Sequence, residues 1–187
     1  MGQMFDITDY KVRPLKEGER VKSFDCGDAD LNDFILNAAP LYREELLAVT
    51  YIMEERATGK VLAYFSLMND KVSLNEFENK TEFNRFRKRH FVNEKRLKSY
   101  PAAKIGRFAV DTTARGLHIG SLLLNFIKYF FRGKNKTGCR FITVDAYINA
   151  IPFYQKHEFK ELTVSDKDDL HTRALIFDLK QLGNNSR

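Results

Sequence analysis

Lys104-Ile105-Gly106-Arg107-Phe108-Ala109-Val110-Asp111, continuing as Thr112-Thr113-Ala114-Arg115-Gly116-Leu117-His118-Ile119-Gly120, is the stretch on which the fold turns. Its first part reads as a strand, closed by residues with turn chemistry at Asp111-Thr112-Thr113. Beyond it, Ile119, Leu122, Leu123, Phe126, Ile127 and Phe130 recur at helical spacing and predict an amphipathic helix over 119–132. A glycine-bearing loop that opens a helix presents free backbone N–H groups and the positive end of the helix dipole. Gly116 and Gly120 let the backbone come close to an anion, and Arg115 adds charge, so the junction suits a phosphate or pyrophosphate. A Walker loop needs Gly-Lys-Ser/Thr, which is absent. A dinucleotide fingerprint needs a third glycine, although Asp145 could stand in for its ribose acid. The plain alternative is that the glycines only shape a tight helix entry.

Outward from this junction the periods stay legible. Phe5–Val12 reads as a short first strand. Asp28 or Asp30 can cap a helix with the stripe Leu31, Phe34, Ile35, Ala38 and Tyr42, and Pro40 predicts a stop or kink near Ala39. Ala48–Met53 and Val61–Met68 read as strands around the turn Ala57-Thr58-Gly59-Lys60. Residues 70–98 break this rhythm, being polar and charged, with helical character around Phe77–Phe86. Arg140–Ala146 reads as a strand, Ile151–His157 as a short helix, and Phe159–Thr163 with Arg173–Leu179 as a closing strand pair. Strand pairs at both ends with a β–α–β unit between them predict an α/β fold, a mixed and largely antiparallel sheet with helices on both faces.

The 187 residues suffice for a single domain over 1–187 with a sizeable core, and 70–98 reads as a basic insertion within it. The composition, 43% hydrophobic and 30% charged, excludes a disordered chain, and no apolar run is long enough to cross a bilayer. Cys26 and Cys139 form no CxxC or Cys/His cluster and read as reduced, buried thiols. His90, His118, His157 and His171 have no metal-ligand spacing, so no metal site is expected. No secretory pattern opens the chain, and a cytoplasmic location is the expectation. The net charge of +6 suits a polyanionic partner.

The junction resembles the GNAT superfamily of acetyl-CoA-dependent N-acetyltransferases, whose pyrophosphate loop has the form Arg/Gln-x-x-Gly-x-Gly/Ala between a strand and an amphipathic helix. Arg115 matches the first position and Gly120 the last, with Gly116 beside them and His118 where the family usually has glycine. Gly106–Asp111 is similar to the family's fourth strand, and Asn149, Phe153, Tyr154 and Phe159 fit its downstream region, with Glu158 in place of a glycine. The resemblance is specific over 104–161, looser over 24–68 and absent over 70–98. It implies acetyl-CoA as cosubstrate, held by Phe108, Ala109, Val110, Arg115, Gly116, Leu117, His118, Ile119, Gly120 and Asn149. Tyr154 is then the catalytic residue, donating a proton or hydrogen bond to the leaving CoA thiolate.

Acetyl transfer passes through an oxyanion, which fixed N–H donors of an interrupted strand near Phe108–Val110 would stabilise. For the base that frees the attacking amine, Glu54 and Glu55 at a strand end are candidates, whereas Asp111 is expected to order the loop. The expected acceptor is a primary amine on a small molecule or on aminoacyl-tRNA. Phe24-Asp25-Cys26-Gly27, followed by Leu31 and Phe34, looks like the branch containing toxins that acetylate aminoacyl-tRNA. A non-catalytic nucleic-acid binder on the same fold is the rival from another class. Residues 80–98 hold eight cations against Glu82 and Glu94, which equals the net charge of the chain. Arg85, Arg87, Lys88 and Arg89 are the expected RNA contacts there, with Phe83, Phe86, His90 and Phe91 as stacking or packing groups, against the alternative of a solvated helical face. A homodimer is the other partner considered.

Overall fold

The computed structural model describes residues 9–91, 97–132, 137–163 and 171–183. Seven strands form one sheet in the order β1-β2-β3-β4-β5-β7-β6, with β1 Tyr10–Pro14, β2 Val49–Glu55, β3 Val61–Ser73, β4 Ser99–Val110, β5 Phe141–Tyr147, β6 Lys160–Glu161 and β7 Thr172–Asp178. The helices are α1 Ala29–Asp33, α2 Ala39–Glu44, α3 Lys80–His90, α4 Ile119–Arg132 and α5 Ile151–Lys156. The pairs β1–β2, β2–β3, β5–β7 and β6–β7 are all antiparallel. β4 and β5 are neighbours in the sheet but are joined through α4, the crossover that a parallel pair needs. This is the predicted α/β class with a mixed, mostly antiparallel sheet.

The chain divides into two compact units, Met1–Met68 with Ile105–Ile127 and Asn69–Lys104 with Lys128–Arg187. In the first, Tyr64 and Phe65 are fully buried on β3. The Tyr64 ring stacks on Phe34 and meets Phe24 edge-on, and its hydroxyl donates to the Leu31 carbonyl at 2.7 Å, so this buried phenol is satisfied. Asp28 caps α1 through the Leu31 amide, as the sequence predicts. Pro40 does not end the helical run: Phe34–Ala38 widens into a π-helical turn, with the Ala39 amide donating to Phe34, and α2 continues to Glu44. The wider turn accommodates a residue that has no N–H to give and a ring that crowds the preceding carbonyl.

In the second unit Phe77, Phe83, Tyr100, Phe141 and Ile176 form the core. The break in rhythm comes later than the sequence suggests. β3 runs on to Ser73 because Val72 is buried and the Asp70 carboxylate accepts from the Thr143 hydroxyl. α3 starts at Lys80, capped by the Asn79 side chain on the Glu82 amide, while Phe77 before it anchors in the core. β4 begins at Ser99, not Lys104: Pro101 sits within it and still offers its carbonyl to the Arg140 amide at 3.0 Å. On α4 the buried apolar positions are Ile119, Leu123, Leu124 and Ile127, and Phe130 is exposed. The first strand starts at Tyr10, and the part of its expected range before residue 9 lies outside the described residues.

Candidate active site

The phosphate-type loop lies in the first unit and is built from its backbone upward. β4 runs without a break through Phe108, Ala109 and Val110, and Asp111 leaves it with its amide on the Leu62 carbonyl at 2.8 Å. The buried Asp111 carboxylate then organises the turn. It accepts from the Thr113 amide at 3.0 Å, the Thr113 hydroxyl at 2.5 Å and the Asp25 amide at 3.1 Å, with the Lys60 ammonium 3.8 Å away. Burial alone would raise this carboxyl, but those hydrogen bonds outweigh it and hold it below the usual carboxylate range. A carboxylate so held orders the loop, as expected, and is no proton acceptor.

After the 3-10 turn Thr112–Ala114, Gly116 takes a left-handed φ of 78°, and no atom lies within 4 Å of where its Cβ would be. His118, where a glycine is usual, is left-handed too, at φ 55°. The first helical bond of α4 runs from the Leu122 amide to the His118 carbonyl at 3.0 Å, so the amides of Ile119 and Gly120 precede the hydrogen-bonded ladder. Arg115, Gly116 and His118 are exposed and Leu117 is half-buried. The turn thus has the donor set, the helix dipole and the open space that a diphosphate requires.

The turn Asp25–Gly27 braces this loop, a role the sequence does not reveal. Thr112 donates its amide to the Asp25 carbonyl at 2.8 Å, and Arg115 Nη2 donates to the Cys26 carbonyl at 2.6 Å. The Asp25 carboxylate accepts from the Gly27 amide and the Asn32 side chain, which lowers its pKa.

Asn149 and Tyr154 lie in the second unit. Asn149 is exposed in the turn Ile148–Ala150 that follows β5. Tyr154 is only 5% exposed on α5, in edge contact with Phe153 and Phe159. Burial pushes its phenol well above the usual value, so it keeps its proton throughout the neutral range. Beside it, Lys128 of α4 is buried, caps the end of α5 through the His157 carbonyl at 2.6 Å and lies over the Phe177 ring at 4.1 Å. Glu158 is left-handed at φ 66°, the conformation its glycine-like position demands.

The candidate bases are both engaged in structure. Glu54 is bridged by Arg13 at 2.9 and 3.0 Å, and Glu55 accepts from the Thr58 hydroxyl at 2.5 Å within the hairpin turn. Among the described residues no cluster of three or more His, Cys, Asp or Glu could hold a metal ion, and no helix is long and apolar enough to cross a membrane.

On α3, Arg85, Lys88 and Arg89 are exposed, whereas Arg87 is half-buried against the Phe83 ring. Phe83 is buried and the half-buried Phe91 stacks on Tyr100, so both rings pack against the core. Lys95, Arg96 and Glu94 lie outside the described residues.

A strand ending in a phosphate-sized turn at the N-terminus of a long amphipathic helix suits a ligand that carries a diphosphate. Residues 81–161 match the acetyltransferase (GNAT) domain. No curated protein matches the chain. Solved structures are similar over nearly its whole length. A tyrosine-to-phenylalanine mutant of KacT has a TM-score of 0.75 at 17% identity, covering 94% of this chain and 98% of that one. AtaT complexed with acetyl-methionyl-tRNAfMet has a TM-score of 0.71 at 20% identity, covering 94% and 98%. AtaTR bound with acetyl-CoA has a TM-score of 0.74 at 20% identity, covering 95% and 98%.

Proposed function

We propose that this enzyme transfers the acetyl group of acetyl-CoA to the α-amine of an aminoacyl-tRNA by direct attack. The single observation that carries the acceptor is the near-complete likeness in fold to AtaT, which has been solved with acetyl-methionyl-tRNAfMet. Amine chemistry favours the same acceptor. At pH 7 a lysine amine costs about 4–5 kcal/mol to deprotonate, whereas an α-amine near 7.7 costs about 1 kcal/mol, so a site without a dedicated base can use it.

The amides from Gly116 to Gly120 hold the diphosphate of acetyl-CoA, Arg115 and His118 border it, and Asn149 contacts the bound cosubstrate. The backbone of Phe108–Val110 receives the thioester arm and its carbonyl oxygen. As the amine nitrogen bonds to the acetyl carbon, negative charge moves onto that oxygen and then to sulfur as the C–S bond breaks. Tyr154, protonated at neutral pH, donates to the departing thiolate, whose proton affinity is close to that of a cysteine at about 8.5. The exposed cations Arg85, Lys88 and Arg89, with a smaller share from Arg87, meet the phosphates of the RNA.

Thermal unfolding tests the cosubstrate. Acetyl-CoA at 100 times its Kd should add about 2.7 kcal/mol of stability, and Gly120→Glu, which puts a carboxylate at the diphosphate site, should abolish the shift. A chain whose Tm is unmoved by millimolar acetyl-CoA and CoA contradicts the proposal.

A further inference from the structure

In the second unit a half-open cavity of about 240 Å³ lies among α3, β6 and β7. Its floor is apolar: Phe86, half-buried and in contact with Phe77 and Phe141, together with Leu162 and Ile176. Arg85 and Arg89, one helical turn apart and both exposed, line one side. The exposed Lys160 of β6 lines it as well.

The acids of the same cavity offset these cations only in part. Asp178 is already saturated: Arg140 donates to both of its oxygens at 2.7 and 2.8 Å, His90 Nδ1 lies 2.8 Å from Oδ2, and the Lys180 amide takes Oδ1 at 3.0 Å. Glu82 accepts from the Glu78 amide and the Thr163 hydroxyl. With Asp178 matched by Arg140, the lining carboxylates Glu82 and Glu161 stand against three cations among the described residues. Because Asp178 occupies Nδ1 of His90, Nε2 is the ring nitrogen that can meet a ligand. The cavity therefore combines an aromatic floor, a histidine edge and three cations.

Such a surface fits a flat ring joined to a phosphate. We propose that this cavity binds a nucleoside 5′-phosphate, free or as the end of an RNA strand, with the base against Phe86 and the phosphate between Arg85, Arg89 and Lys160. Ligand pockets commonly span roughly 300–1,000 Å³, so a cavity of about 240 Å³ admits no more than one nucleotide. The proposed diphosphate site at Arg115–Gly120 belongs to the first unit and the cavity to the second. The cavity shares Arg85 and Arg89 with the RNA surface of the proposed function, and nucleotide binding to it can be measured without that acceptor.

The test is calorimetric titration of the whole chain, saturated with acetyl-CoA, with each of the four nucleoside 5′-monophosphates. At least one should bind about tenfold more tightly than inorganic phosphate or the bare nucleoside, since it alone joins both contacts. Phe86→Leu, which keeps an apolar side chain, should weaken it by roughly fivefold or more through loss of stacking. As a safeguard for folding, the exposed pair Arg85→Gln and Lys160→Gln should weaken it about tenfold while the thermal shift with acetyl-CoA stays intact. A 5′-phosphorylated tetraribonucleotide that binds more tightly than the monophosphate assigns the site to an RNA end, and one that binds no better assigns it to a free nucleotide. The proposal is overturned if no monophosphate exceeds inorganic phosphate, or if binding ignores Arg85 and Lys160. Equal binding of a tetraglutamate peptide, or loss of binding when acetyl-CoA is present, overturns it too.

Discussion

Arg115 Nη2 donates to the carbonyl oxygen of Cys26 at 2.6 Å, across 89 positions of sequence. One guanidinium thereby fastens the turn Asp25–Gly27 to the loop that opens α4. Asp111 does the same from the other side by accepting the Asp25 amide. The loop's shape is thus set by side chains from two distant stretches of the chain.

Gly27 follows directly from this bond. Its φ is 81°, and a Cβ there would lie 3.2 Å from Arg115 Nη2. Gly27→Ala should cost about 1–2 kcal/mol and displace Arg115, lowering both Tm and acetyl-CoA affinity. Gly59→Ala is the control, with φ 70° and open space around it. It should lower Tm similarly while leaving acetyl-CoA affinity unchanged, as measured by ligand titration of both variants.

Glu158 holds a left-handed φ of 66° with an exposed side chain 3.9 Å from Lys128. That conformation costs about 1–2 kcal/mol in a residue with a Cβ, while glycine adds about 0.5–1 kcal/mol of unfolded-chain entropy. Glu158→Gly should therefore stabilise the protein by about 0.5–1 kcal/mol, raising Tm by roughly 1–4 °C in thermal unfolding.

Asp178 governs the acid response of the second unit. Burial would raise its carboxyl, but hydrogen bonds from His90, Arg140 and the Lys180 amide hold it well below the usual range. A depressed carboxyl contributes stability that is complete above its unfolded value near 3.9 and is lost as pH falls toward the lower folded value. At pH 7, Asp178→Asn should cost about 3 kcal/mol by leaving Arg140 without its charge partner. The gap between parent and variant, followed by denaturant unfolding, should narrow progressively below about pH 4.

Much of this was legible because period and punctuation agreed. The hairpin of β2 and β3 carried its own signal in Ala57-Thr58-Gly59-Lys60, and Gly59 is left-handed there at φ 70°. The loop at Arg115–Gly120 was readable because glycine, charge and the apolar stripe of α4 fell together. Other features depend on tertiary contact. Asp70 and Lys71 look like a break, yet β3 continues past them because Asp70 meets Thr143, 73 positions away. Pro101 obscured the start of β4, since its ring hides that a carbonyl can still pair. Phe83 and Phe91 looked available for stacking, but a charged sequence gives no sign of which aromatic faces the core. The bracing of the loop by Cys26 had no signal at all, because a backbone carbonyl is the same in every residue.

Acetyl transfer to aminoacyl-tRNA is measured most directly by incubating the enzyme with acetyl-CoA and either charged or uncharged tRNA, then quantifying free CoA and N-acetylated aminoacyl ester. The account predicts equimolar CoA and N-acetyl aminoacyl-tRNA with charged tRNA and none with uncharged tRNA. In Tyr154→Phe, which keeps the ring and its packing, kcat should fall by roughly 10²–10⁴ with acetyl-CoA affinity unchanged. Acetylation of a small amine or a lysine peptide with charged tRNA left untouched, or full turnover in Tyr154→Phe where chemistry limits the rate, would contradict it.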